Sequence, residues 1–200
     1  SRSKYKFVFI HQLVGGIDSN GRGGAEAAKY YEWGGNNADS SYGLTAKRPG
    51  WAMPIHQLLV QNKVTAVFHG HDHLFVKQEL DGIIYQKVPQ PSAARYDQTN
   101  SAKDPSGSYV TGDVLGGPGH LRVTVSSLQV KVDYVRTYLP QDENAQHKNG
   151  KVDYTYTITA RGKILNFTKV AELHPGYSVA TCRSDVCTAS DNRRCRWRRG

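Results

Sequence analysis

The sequence predicts an α/β fold, rich in strands and hairpins, with a site at the C-terminal ends of two strands. Three observations carry that prediction. The aromatic and β-branched runs Tyr5 to Ile10 and Val64 to Phe68 each end in a histidine. A helical pattern lies between them, and pairs of strand-like runs follow. In open α/β sheets ligands gather beyond the carboxyl ends of the strands, so a strand-histidine arrangement that occurs twice marks that end for chemistry.

The first strand delivers His11. Gly15 to Gly50 then holds nine of the 20 glycines, interrupted by a short helix expected over Ala25 to Trp33. Irregular connections of this length are lids, binding loops or insertions without a role. Pro54 suits a first helical turn, and Ile55, Leu58 and Leu59 share one helical face. The second strand ends in His69-Gly70-His71-Asp72-His73. Phe75 to Leu80 and Ile83 to Val88 flank Asp81-Gly82, a tight-hairpin signal because glycine tolerates positive φ. Leu121-Val123-Val125 and Val130-Val132-Tyr134 alternate with polar residues across Ser126-Ser127, which predicts a second hairpin. Pro140 to Gly150 reads as a linker. Val152 to Ile158 and Ile164 to Val170 form a third strand pair, giving expected units of 1–138, 139–180 and a basic tail, 181–200, expected to be disordered.

Two hundred residues suit one ordinary domain or a domain with a tail. The longest apolar runs fall far short of a bilayer span. The net charge of +9 invites a nucleic-acid reading, but residues 181–200 hold six arginines and two aspartates. Much of the excess therefore sits in one short segment. Cys182, Cys187 and Cys195 lie there too, in a spacing that matches no common zinc framework. Asn166-Phe167-Thr168 is a glycosylation sequon, a triplet common by chance. No apolar leader segment stands ahead of the first strand, so the natural beginning of the chain is expected to lie elsewhere.

The chemistry concentrates in His69, His71 and His73, with His11 as a partner from another strand end. On an extended segment alternate residues point the same way, so His71 and His73 are expected to present imidazoles together. Gly70 removes a side chain where the backbone must turn or approach an ion. Neutral imidazole is the commonest metal donor, while Asp72 either hydrogen-bonds a ligand or faces water. From the residues alone, two readings stand: a metal site, or a polar loop with incidental histidines.

Val67-Phe68-His69-Gly70-His71-Asp72-His73 resembles the terminal Gly-His-x-His motif of calcineurin-like metallophosphoesterases, and Phe7-Val8-Phe9-Ile10-His11-Gln12 resembles the strand-histidine motif that precedes it. Arg48-Pro49-Gly50-Trp51, the Ile55 to Leu59 helix and Gly119-His120-Leu121-Arg122-Val123 are similar to a secreted or periplasmic bacterial branch. The resemblance spans roughly residues 4–138. It implies an αββα sandwich and a hydrolase of phosphoric esters, a phosphatase in the broad sense, with a binuclear metal centre. His11 and His71 would ligate one ion and His73 the other. The metals implied are Mn, Fe, Zn or Co; mixed nitrogen and carboxylate donors do not choose among them.

The family's early motifs, Asp-x-His, Gly-Asp-x-x-Asp/Asn and Gly-Asn-His-Asp/Glu, are not found in this sequence. Gly112-Asp113-Val114-Leu115-Gly116 lacks the final acid and Gly35-Asn36-Asn37 lacks the histidine. The resemblance is therefore to the C-terminal half of such a domain, a fragment expected to be inactive alone and to partner the missing N-terminal half and a phosphate ester. No catalytic residue beyond the metal ligands is identified, and the residues that bind substrate are not assigned. A periplasmic or extracellular location follows from the branch.

His69 and Asp72 are candidates for supporting the ligands. His56 is expected to be partly exposed on its helix, and His120 to make a hydrogen bond where its strand begins. Arg22, Arg48 and Arg95 have the chemistry to bind phosphate, but each is also an ordinary surface residue. Tyr30, Tyr31 and Trp33 either wall a substrate or anchor their loop. Two rival functions remain: a non-catalytic module holding one zinc on His11, His71 and His73, and nucleic-acid binding through the arginine tail, which no recognition fold accompanies.

Overall fold

The computed structural model describes residues 2–13, 23–92 and 109–159, and the backbone of 164–166. It is a mixed α/β, strand-rich fold of two sheets and a few short helices. Strands β1 (Phe7–Ile10), β2 (Ala66–His69), β3 (Phe75–Leu80), β4 (Ile83–Lys87) and β5 (Asp113–Leu115) form one sheet in the order β1-β2-β4-β3-β5. β1, β2 and β4 run parallel, with Ile10 opposite His69 and His69 opposite Lys87. That register sets two polar side chains, His69 and Lys87, opposite each other at the C-terminal end of the sheet, with His11 directly after Ile10.

Strands β6 (Gly119–Val125), β7 (Gln129–Arg136), β8 (Val152–Thr159) and β9 (Ile164–Asn166) form the second sheet, antiparallel throughout. Both expected hairpins close where their turn residues stand. Leu80 pairs with Ile83 around Asp81-Gly82, both at positive φ, and Val125 pairs with Val130 across Ser126-Ser127. The segment Pro140 to Gly150, expected as a linker, is instead a hydrogen-bonded loop. Asn149 bridges Tyr138 and Glu143 there. Because β8 pairs directly with β7, residues on both sides of position 138 share one sheet and one core.

Two apolar layers hold the fold. Ala66, Phe68 and Ile84 of the first sheet meet Val130, Val132, Tyr156 and Ile158 of the second, so the sheets pack face to face. On the other face of the first sheet, Val67, Ile83 and Tyr85 pack against Leu13, Ala27, Ala28 and Trp33. The helices there are a 3-10 turn (Ala25–Lys29), α1 (Tyr31–Gly34), α2 (Leu44–Lys47) and α3 (Ile55–Gln61).

The single helix expected over Ala25 to Trp33 is broken. Tyr30 is extended (φ −104°, ψ 159°) and bridges to Asn36. The return of the chain is so close that a Cβ at Gly34 would sit 2.2 Å from the Lys29 backbone. In α3, Pro54 is the residue before the first turn, extended rather than helical. Ile55 and Leu59 pack on the core as their spacing requires, but Leu58 is about half exposed because this short helix covers the sheet with a narrow stripe.

The sandwich has an open side. Phe75 of β3 stacks on Tyr134 of β7, and Tyr154 of β8 donates a hydrogen bond to Asp113 of β5. The opposite edges, β1 and β6, therefore lie together, tied where Lys4 donates to the Ser127 carbonyl. Along them, side chains that face the inter-sheet layer stay exposed: Phe9 at 75%, Val123 at 38% and Val125 at 54%.

Candidate metal centre

Two histidines meet at the C-terminal end of the parallel strands. His11 follows β1 directly, while His71 lies two residues beyond the end of β2. His11 Nε2 and His71 Nδ1 are 3.2 Å apart, with the rings edge to face at 5.3 Å between centroids. Two nitrogens each about 2.1 Å from one ion, at tetrahedral to octahedral angles, stand roughly 3.0–3.4 Å apart. The pair fits two positions on a metal. It equally fits a direct hydrogen bond between a donor nitrogen of one ring and an acceptor nitrogen of the other.

The local backbone brings this about. Gly70 donates its amide to the His11 carbonyl at 2.7 Å, fastening the turn to the end of β1. A Cβ at Gly70 would sit 3.4 Å from that carbonyl oxygen, a contact that glycine leaves open. Beyond Gly70 the chain is not extended: His71 (φ 88°) and His73 (φ 58°) both occupy the left-handed region. The period-2 argument that paired their imidazoles therefore fails. His73 is solvent-exposed and does not join His11 and His71. Among the described residues no group of three or more His, Cys, Asp or Glu side chains is placed to hold a metal.

Behind the pair lies a buried polar cluster. Asp72, expected at a ligand or in water, is inside the protein, and its carboxylate is 3.2 Å from Lys87 Nζ with both side chains fully buried. Tyr109 donates its hydroxyl to the same carboxylate, and the Gly23 amide approaches it at 3.4 Å. Lys87 also donates to the Gly70 carbonyl at 2.7 Å. Burial lowers the Lys87 pKa, while Asp72 opposes that shift. His69 is completely buried, edge to face with Tyr85, and neither ring nitrogen hydrogen-bonds a described residue. Its pKa is held well below the ordinary value, first by desolvation and then by the Lys87 charge. His69 is thus a neutral core side chain.

Neither Lys87 nor Tyr109 lies in a motif that marks it for the site. A signal for Lys87 existed, since Ile83, Tyr85 and Lys87 alternate on one face of a strand whose first two members are core residues. An inward-facing lysine on a buried strand asks for a buried partner. Tyr109 lies in a loop without periodicity.

The other named residues have structural roles. Trp33 is buried and donates its indole N–H to Tyr85 Oη at 2.8 Å, so this tryptophan anchors its loop to the sheet. Tyr30 and the exposed Tyr31 lie at 6.3 Å, ring to ring. His56 bridges Tyr85 Oη at 2.7 Å and Asp81 at 2.9 Å. Arg48 pairs with Glu32, and His120 opens β6 exposed to solvent. Arg22, Arg95, most of the sequon and the cysteine- and arginine-containing tail lie outside the described residues.

Beside His11 there is an open depression of about 420 Å³, lined by Phe9, Ile10, His11, Phe68, His69, Gly70 and Val88. It is mainly apolar and opens along the exposed β1 edge. No helix among the described residues is long and apolar enough to cross a membrane. Neither a protein-family model nor a curated protein matches the chain.

Proposed function

We propose that this chain is part of a binuclear metal-dependent phosphoesterase, contributing His11 and His71 to one ion and His73 to a second. The observation that supports this best is the approach of His11 Nε2 and His71 Nδ1 to 3.2 Å at the C-terminal ends of adjacent parallel strands. A bound pair of cations would lower the pKa of a water, neutralise phosphoryl oxygens and stabilise the leaving oxygen. This chain's part is to hold imidazoles in place, with Gly70 tying the two strand ends together. The exposed apolar β1 and β6 edges offer a seat for a further segment that supplies the bridging carboxylate and the remaining ligands.

Titration calorimetry with Zn²⁺ and Mn²⁺ tests the ligand assignment. His11→Ala and His71→Ala should each weaken binding at least tenfold; unchanged binding in both would sink it. The hydrolase is tested on a protein extended upstream of Ser1, with two ions bound and an aryl phosphate hydrolysed. A reading frame that encodes no Asp-x-His, Gly-Asp-x-x-Asp or Gly-Asn-His-Glu-like motif upstream removes the enzymatic reading. One bound ion without hydrolysis would favour the zinc module instead.

A further inference from the structure

Gly70 and Asp72 are the two chain neighbours of His71, and one ammonium holds both. Lys87 Nζ donates to the Gly70 carbonyl at 2.7 Å and pairs with the Asp72 carboxylate at 3.2 Å. Lys87 is itself fixed by the sheet, as the β4 partner of His69 in parallel register. Tyr109 donates to Asp72 from another side. His71 therefore sits between two fastened residues at φ 88°, a conformation that residues other than glycine adopt only when their surroundings impose it.

We propose that Lys87, acting with Asp72, is a positioning residue that holds His71 in the left-handed conformation and so presents its Nδ1 toward His11. The proposal rests on the metal-site reading for its purpose but not for its geometry. Replacing both members of a buried ion pair with neutral groups of similar volume is often close to neutral for stability. What this pair supplies is therefore the placement of one imidazole. Removing Lys87 alone would leave Asp72 buried without its cation, so the informative variant removes both charges.

The test uses Lys87→Met/Asp72→Asn in the full chain, read in two ways. In metal-free protein, the His11 and His71 rings, 5.3 Å apart, should show a nuclear Overhauser contact that the double variant loses. The variant should keep the wild-type circular dichroism and unfold cooperatively, and its Zn²⁺ affinity should fall at least tenfold. A double variant that keeps the ring contact and binds Zn²⁺ within twofold of wild type overturns the proposal. One that fails to fold overturns it too, since the pair would then be needed for the fold as a whole. If the wild-type chain binds no Zn²⁺, the metal reading falls, and the ring contact still decides the role of Lys87.

Discussion

His71 shows how a single backbone angle sets a site. Its positive φ aims the ring at His11, and a side chain there costs about 1 kcal/mol more than glycine would. His71→Gly and His71→Ala both delete the imidazole, but only the glycine variant relieves the backbone. Urea unfolding should find His71→Gly more stable than His71→Ala by about 1 kcal/mol. Equal midpoints would mean that the conformation is not strained. Sequence pattern could place a histidine at this position but not its φ, because a Gly-His-x-His stretch reads naturally as extended.

At the scale of elements, the Asp81-Gly82 turn joins β3 to β4 and so carries Lys87 into register beside His69. Gly82 has φ 76° with open space around its Cβ direction, so Gly82→Ala carries a conformational cost without a clash. Thermal or urea unfolding should register a loss of about 1 kcal/mol. Behind the same strand, Tyr85 accepts from Trp33 and meets His56, which joins a helix and the β3–β4 turn to the sheet. Desolvation raises its hydroxyl pKa to about 12. Tyr85→Phe leaves the Trp33 N–H without its acceptor, and should destabilise by about 1–3 kcal/mol in the same assay.

In the second sheet, the hydrogen bonds of Asp133 from Arg122, Thr155 and Lys131 overcome the opposing effect of burial. They hold its pKa below the usual 3.8. A depressed carboxyl contributes stability above its unfolded pKa and loses it as pH falls through the folded one. Asp133→Asn should therefore unfold at lower urea than wild type at pH 7, by about 1–2 kcal/mol. The two midpoints should converge as pH falls below about 3.8. A gap that does not narrow at all as pH falls below about 3.8 would assign the effect to packing.

For the molecule as a whole, the open side of the sandwich is the dominant feature. Phe9, Val123 and Val125 face the layer between the sheets yet remain in water, and β1 pairs on one side only among the described strands. Unpaired edges with exposed apolar side chains associate. Phe9→Lys should raise several-fold the concentration at which light scattering first detects oligomers, while leaving the thermal midpoint nearly unchanged. Association unaltered by the variant would place the contact elsewhere.

The elements themselves were largely legible in the amino-acid sequence. Local propensity and period determined β1, β2, both glycine- or serine-centred hairpins and the helix before β2, because these depend on neighbours within a few residues. The delivery of His11 and the Gly-His-x-His stretch to strand ends was equally local. Only the tertiary structure decided that β8 continues the β7 sheet, that Trp33 is core, and that Asp72 turns inward to Lys87. It also decided that His73 turns to solvent on a left-handed backbone and does not present its imidazole together with His71. Those outcomes depend on register between distant strands and on a left-handed backbone held by a buried ion pair, both set by contacts remote in the chain.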